Sequence, residues 1–360
     1  MRIAVNTGGG DAPGLNAVIR AVVLSALSRG WETFGIRRGY RGLLSGEGVI
    51  PLGREEVRGI THLGGTILGT TNRGDPFRWV AEDIATGAGH EIDRADDVIA
   101  AFRDRGLDGL VAIGGEGSLH IAHRLWRKGL PVVGVPKTID NDVHGTEQTF
   151  GFDSAVSTAT EAIDKLHSTA ESHDRVMVIE LMGRHAGWIA LHSGISATAD
   201  VILIPEIPFD IEKVCDKIRL RESRGRRFSM VVVAEGAVPK GGTPVLVERR
   251  QAGSAERLGG IGNQVADAIA ERTGKETRCL VLGHLQRGGT PTTFDRLLAL
   301  RFGTAAVRAV ADGEFGCMVG LAAQSIVRVP LDEVEGRTKL VPLDNDTLST
   351  ARDLEISLGD

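Results

Sequence analysis

Short apolar runs alternate with stretches of helical period along this chain. Residues 3–5 form a continuous apolar run that predicts a buried strand, and a glycine-rich turn follows it. Residues 15–29 then predict a helix stopped by Gly30. Residues 31–36 predict a second strand and residues 110–113 a third, which again runs into glycines and a helix through Arg127. Residues 132–135 predict a further strand. The pattern restarts near Arg175: a strand over 176–181, a turn at Met182-Gly183-Arg184, a helix over 185–193 and strands over 201–204 and 230–234. A helical period fills 210–220, and a strand is expected over 279–282. This succession predicts an α/β fold with a mostly parallel, doubly wound sheet. The length of 360 residues exceeds what one core serves, so two domains are expected, with a boundary near Phe150-Gly151. In open α/β sheets, ligands bind beyond the carboxyl ends of the strands, where the glycine turns fall.

Composition narrows the picture. Apolar residues make up 42% and charged residues 25%, ordinary globular values, but glycine is high at 48 residues and clusters in short loops. A net charge of -5 gives no general attraction for nucleic acid or an anionic membrane, so any cationic site is local. Cys215, Cys279 and Cys317 are far apart and form no CxxC pair, which predicts reduced thiols rather than a metal or disulfide framework. No apolar run approaches the roughly 18 residues of a membrane span. The first residues pass straight into a strand without a signal peptide, so a cytoplasmic protein is expected.

Four groups of residues could carry chemistry. Gly8-Gly9-Gly10-Asp11-Ala12-Pro13-Gly14 lies between a strand and a helix, where backbone N–H groups and a helix end attract phosphate; a tight turn is the plainer reading. It is neither a GxxxxGK[ST] loop nor a GxGxxG fingerprint. Gly114-Gly115-Glu116-Gly117-Ser118 repeats the arrangement, and Glu116 suits either Mg²⁺ or the dipole of the helix it opens. Pro136-Lys137-Thr138-Ile139-Asp140-Asn141-Asp142 ends a strand with two carboxylates. One could accept a proton while the other assists, although Asx-rich turns are common. Arg175, Arg184, Arg278, His284 and Arg287 flank strands and suit an anionic substrate, with surface ion pairs the plainer reading for each. His120 and His192 are read as structural or exposed.

Together these segments resemble the phosphofructokinase family. The resemblance rests on GGGDAPGLNAVIRA at 8–21, GGTILGTTNRGDPF at 64–77, IGGEGS at 113–118, PKTIDND at 136–142, SHDR at 172–175, MGRHAG at 182–187 and TRCLVLGHLQRGG at 277–289. It implies two Rossmann-like lobes with mainly parallel sheets and an active site in the cleft between them. Residues 1–150 and 287–335 would bind the phosphoryl donor, and 151–286 and 336–360 fructose 6-phosphate. It makes Asp140 the general base on the sugar 1-hydroxyl, with Asp142 assisting and Thr138 contacting the transferred group. Gly10, Arg73 and Arg184 would stabilise the phosphoryl in transfer. Tyr40, Gly74, Gly115, Gly117, Ser118 and Lys137 join Gly10 and Arg73 around the donor, and Glu116 takes the place of the Mg²⁺ carboxylate. Thr138, Met182, Gly183, Arg184, Glu235, His284 and Arg287 would hold the sugar. Arg175 and Arg278 would reach across an interface to a neighbour's sugar phosphate, which implies a homo-oligomer, a tetramer or a dimer.

The resemblance divides over the donor. Gly117 matches members that use ATP, where pyrophosphate users usually carry Asp, whereas Lys137 matches the pyrophosphate users. Room for a nucleotide at Gly117 decides for ATP, with a pyrophosphate-dependent phosphotransferase as the alternative. Ile121 and Gly74 depart from the ATP pattern near the ribose and adenine. Arg20 matches an effector-site arginine, but Leu24 and His167 stand where that site has further arginines and Asp200 replaces a glutamate. Weak or altered effector control is the expectation.

Overall fold

The computed structural model describes residues 1–82, 89–248 and 257–360. The chain opens with β1 (Arg2–Thr7), α1 (Leu15–Leu27), β2 (Glu32–Ile36), α2 (Arg41–Leu44) and β3 (Val49–Pro51). A separate antiparallel pair, β4 (Trp79–Glu82) and β5 (Gly89–Ile92), precedes α3 (Ala95–Asp104). Next come β6 (Gly109–Gly114), α4 (Glu116–Arg127), β7 (Val132–Pro136) and α5 (Phe152–Ser172). The middle of the chain forms β8 (Val176–Leu181), α6 (Trp188–Ser196), β9 (Val201–Leu203), α7 (Ile211–Ser223), β10 (Ser229–Ala234), β11 (Leu246–Glu248), β12 (Arg257–Leu258), α8 (Ile261–Thr273) and β13 (Thr277–Val281). It closes with α9 (Thr293–Ala311), β14 (Cys317–Ala322), β15 (Ser325–Pro330), α10 (Leu331–Val334) and α11 (Asp346–Asp353). None of the described helices is long and apolar enough to cross a membrane.

Two compact units result. The first contains Met1–Asp153 and Arg287–Thr338; the second contains residues 154–248, 257–286 and 339–360. The first unit's sheet has the order β15-β14-β7-β6-β1-β2-β3. The strands from β14 to β2 run parallel, while β3 and β15 add antiparallel edges. Alternation along each strand sorts its side chains between two faces. Ile3, Val5, Val111, Ile113, Val133 and Val135 pack with Leu15, Ile19, Phe302 and Val307 of α1 and α9. Ala4, Leu110, Ala112 and Val132 pack with Val98, Phe102, Leu119 and Leu125 of α3 and α4. Covering both faces explains why these strands read as unbroken apolar runs. Helices α1 and α9 meet at Gly303, where a Cβ would lie 2.7 Å from that of Ala21.

The second unit's main sheet has the order β13-β8-β10-β9 and is parallel throughout. Helices α7 and α8 cover one face through Val214, Ile218, Val265 and Ile269, against Val176, Val178, Val231 and Val233. The helix expected over 185–193 begins only at Trp188. The chain first turns at Gly183, whose φ of 140° is open to glycine. The helix expected over 15–29 ends at Leu27, where Gly30 at φ 73° returns its N–H to Leu27 O.

Candidate active site

In the first unit, β1, β6 and β7 deliver three of the predicted loops to one edge of the sheet, and backbone bonds lock them together. Gly8 N donates to Ile113 O (2.9 Å) and Lys137 N to Gly114 O (2.9 Å). A Cβ on Gly8 would lie 2.7 Å from Ser118 Oγ, and one on Gly115 3.2 Å from Lys137 O. Glycine at these two positions is therefore what allows the loops to touch. A fourth segment joins them: Gly9 N donates to Thr71 O (3.2 Å) and Thr70 Oγ1 to Gly9 O (2.5 Å). That segment carries Arg73, which is exposed, and Gly74, where a Cβ would meet Thr71 Cγ2 at 2.7 Å. Thr70 and Thr71 fall within the 64–77 segment that carries the resemblance but were given no role of their own from the sequence; their polar pair just before Asn72-Arg73 was the available signal.

Helix α4 opens on Gly115 with no side-chain cap, and Glu116 is its first residue. Its uncapped first-turn N–H groups and dipole are suited to an anion. A Cβ on Gly117 would meet nothing within 4 Å. Glu116 Oε2 accepts from Thr338 Oγ1 at 3.3 Å. Tyr40 is 5% exposed and packs in the core with Ile36 and Leu43, and burial pushes its phenol well above the usual range. Ile121 packs at the edge of that same core.

The aspartate loop is shaped by Asn141, which adopts φ 53° between Asp140 and Asp142. Asparagine tolerates this left-handed geometry better than most residues. Its Oδ1 accepts from Thr149 N (3.1 Å), Asp140 N donates to Thr138 Oγ1 (3.1 Å), and Thr149 Oγ1 donates to Thr138 O (2.8 Å). Lys137 is 3% exposed and its Nζ donates to the Gly10 carbonyl. Burial pulls its ammonium down to about 8; the Arg287 guanidinium adds to this, while Asp11, Asp140 and Asp142 oppose it. Arg287 Nη1 donates to Asp11 O (3.2 Å), and a Cβ on Gly10 would lie 2.9 Å from that nitrogen. Gly10, Gly115–Ser118, Lys137, Thr138, Asp140, Asp142 and Arg287 are thus held by loops that bond to or pack on one another, with Arg73 on the adjoining segment.

In the second unit, the carboxyl ends of β8, β10 and β13 are likewise tied. Glu235 N donates to Leu181 O (2.8 Å), Gly236 N to Gly183 O (3.1 Å) and Leu282 N to Glu180 O (3.0 Å). Met182, Gly183, Arg184, Glu235 and the exposed His284 share this edge. Arg175 and Arg278 do not. Arg175 precedes β8, and Arg278 sits opposite Met177 at the amino end of the sheet. Both pair with Glu276, at 2.8 and 2.6 Å. The six residues of β8 separate the two edges by about 20 Å. Helix ends in this unit are filled from within. Both carboxylate oxygens of Glu206 accept from Gly187 N (3.0 and 3.1 Å), and buried Glu180 accepts from Gly260 N (3.1 Å) and Gly262 N (2.8 Å). A lone carboxylate in the apolar run of β8 was the sequence signal for Glu180.

The effector-like positions are engaged internally. Arg20 Nη1 donates to Val57 O (2.7 Å), and His167 Nε2 lies 2.8 Å from Ala197 O. Asp200 pairs with Arg221 at 2.6 Å and accepts from Met230 N (2.9 Å), and burial raises its carboxyl above the usual range.

Comparison with known proteins places this arrangement. Residues 2–310 match the family described as Phosphofructokinase. The ATP-dependent 6-phosphofructokinase of Chloroflexus aggregans is 52% identical over 100% of this chain and 98% of its own length. The pyrophosphate–fructose 6-phosphate 1-phosphotransferase of Amycolatopsis methanolica is 53% identical over 95% of this chain and 96% of its own. The crystal structure of Pichia pastoris phosphofructokinase in the T-state superimposes with a TM-score of 0.80 at 33% identity, over 99% of this chain and 37% of that one. Three glycine-linked strand ends beside a Thr-Ile-Asp-Asn-Asp loop, within a match spanning nearly the full length, have one consistent reading: the chain belongs to the phosphofructokinase family.

Proposed function

We propose that the chain is an ATP-dependent 6-phosphofructokinase, moving the γ-phosphoryl of ATP to the 1-hydroxyl of fructose 6-phosphate. The observation that carries this reading is the joining of the Lys137–Asp142 loop to the uncapped end of α4 and to Gly10. In the reaction, the 1-hydroxyl oxygen bonds to the γ-phosphorus, its proton passes to Asp140, and the bond from the γ-phosphorus to the leaving ADP oxygen breaks. Positioning and charge compensation supply most of the rate in such transfers. The amides of Gly10 and of the α4 first turn, with Lys137, Arg73 and Arg184, take up the phosphate charge. Asp142 supports Asp140, and Thr138 contacts the transferred group.

The first unit serves as the donor domain and the second as the sugar domain, with Met182, Gly183, Arg184, Glu235 and His284 recognising fructose 6-phosphate. Thr138 and Arg287 complete that set. Arg175 and Arg278 lie about 20 Å from the second unit's other sugar residues, so they serve the sugar phosphate of another subunit, and the working form is a dimer or tetramer. Among the described residues no three metal-binding side chains cluster. One carboxylate, Glu116, at an open helix end suits a Mg²⁺ ion held mainly by donor phosphates and water. When bound, the ion would neutralise charge on the phosphate oxygens.

Open space over Gly117 favours ATP; buried Lys137 and the Amycolatopsis relative favour pyrophosphate as the second reading. The test is turnover of fructose 6-phosphate with each donor at equal Mg²⁺, for the native chain and Asp140→Ser. ATP should give the faster turnover, and the variant should lose about 10³-fold in kcat while keeping its affinity for the sugar. Faster turnover with pyrophosphate overturns the donor; an active Asp140→Ser overturns the mechanism.

A further inference from the structure

The first unit contains a second concentration of positive charge that none of the roles above uses. Arg37, Arg38 and Arg41, with Gly42, Ser45, Glu47 and Gly48, line a pocket of about 300 Å³. The walls are built rather than incidental. Arg38 and Gly39 stand consecutively at φ 53° and 63°, a left-handed reversal that is unfavourable for a non-glycine residue such as Arg38. Gly42 and Gly48 pack backbone on backbone; a Cβ on Gly48 would lie 2.3 Å from Gly42 Cα. Arg37 N closes the loop onto Gly48 O at 2.8 Å. The backbone thereby holds three exposed arginines around one cavity, in a chain of net charge -5. None of the three is ion-paired with a carboxylate among the described residues, and Arg41 lies instead over the Trp79 ring at 5.3 Å. Glu47 lines the pocket without pairing to them.

Like charges gathered in this way repel one another unless an anion joins them, and arginine binds phosphate oxygens bidentately. We propose that this pocket is a binding site for a compact oligophosphate, separate from the phosphoryl donor site and coupled to it. The coupling route is short. Arg38 N donates to Leu68 O (3.0 Å), and Gly39 packs on Thr71, whose carbonyl accepts from Gly9 N in the phosphate loop. An anion that tightens the arginine loop therefore acts on the segment that positions Gly9 and carries Arg73. The ligand chemistry is shared by inorganic oligophosphates and by the triphosphate tail of a second nucleotide. The inference rests on the proposed ATP-dependent reading, since an ATP analogue must fill the donor site in the test.

The experiment is equilibrium binding of inorganic tripolyphosphate, and separately of a non-hydrolysable ATP analogue, to the full chain and to the double variant Arg37→Gln/Arg38→Gln. Tripolyphosphate should still bind the native chain when the donor site is saturated with the analogue. The double variant should lose about 100-fold in that affinity, roughly tenfold for each guanidinium removed. Its kcat and donor KM without tripolyphosphate should stay within about twofold. A second stoichiometric binding event for the analogue, abolished by the same variant, identifies a nucleotide tail as the occupant; a single event assigns the pocket to inorganic oligophosphate. Three results overturn the proposal: displacement of tripolyphosphate in step with filling of the donor site, binding indifferent to the double variant, or a donor KM raised tenfold in the variant, which makes the pocket part of the donor site. The charge-conserving double variant Arg37→Lys/Arg38→Lys should keep part of the affinity, which separates lost charge from lost fold.

Discussion

Helix ends at strand edges are treated in opposite ways by the two units. In the first, α4 begins on Gly115 with no side-chain cap, and no side chain bonds its first-turn amides among the described residues. In the second, α6 and α8 also begin on glycines, but Glu206 and Glu180 already bond their first amides. A helix N-terminus carries about half a positive charge and welcomes an anion. The first unit leaves that charge available to a ligand. The second neutralises it with its own carboxylates, so in the proposed function phosphate recognition there is assigned to arginine and histidine side chains. An anion site therefore depends less on the helix end than on whether the protein has already filled it.

The sharpest way to break this contrast is to fill the open end. Gly117→Asp places a carboxylate in the first turn of α4, where a Cβ meets no neighbour, so the fold should tolerate it. We expect kcat/KM for ATP to fall about 10²–10³-fold, the scale of losing one preorganised charge interaction. Thermal unfolding should shift by no more than a few degrees. ATP use within threefold of wild type would mean that the open end does not hold the donor.

Much of this was legible in the sequence because the signals are local. A strand, glycines and a helix in succession already implied loops at a sheet edge, and the Asp140-Asn141-Asp142 turn followed its strand directly. What the sequence hid depends on distant pairings. Nothing near Lys137 in the chain announces that its ammonium meets the Gly10 carbonyl, or that Arg287 returns to Asp11. Nor does the run around Arg175 reveal that β8 and β13 align Arg278 at the same end of the sheet. The edge strand β15 runs antiparallel because only residues 323 and 324, both at positive φ, join it to β14, and no Asn-Gly or Asp-Gly pair announced that hairpin.

Lys137 offers the next test, because the open end in the first unit is supported by a buried cation. Its folded value near 8 lies below the ordinary lysine value of 10.5. Donor capture by the free enzyme should therefore weaken as pH rises through about 8, with kcat/KM for the donor falling up to tenfold per unit above it. Lys137→Met should start lower and show no such limb. The sign for stability is opposite. The unfolded chain holds this proton more tightly, so between about 8 and 10.5 the burial penalty is relieved as pH rises. A limb that persists in Lys137→Met would assign it to another group.

The smallest effect is expected where the second unit's helix end is already filled. Glu206 accepts from Gly187 N and Val341 N, yet burial outweighs these bonds and raises its carboxyl above the usual range. Glu206→Ala leaves those two donors unmatched, at a cost of about 1–3 kcal/mol, or a few degrees of unfolding temperature. Glu206→Gln keeps a carbonyl acceptor and should recover part of it. Because the folded value is raised, the native chain holds the extra proton. Its advantage over Glu206→Ala should thus shrink as pH climbs from the ordinary carboxylate range to the raised value. Sugar KM should stay within twofold, since both oxygens of this carboxylate are engaged by backbone amides of its own unit. A tenfold rise in sugar KM with unchanged stability would instead place Glu206 in substrate recognition, and the division between an open helix end and a filled one would fail.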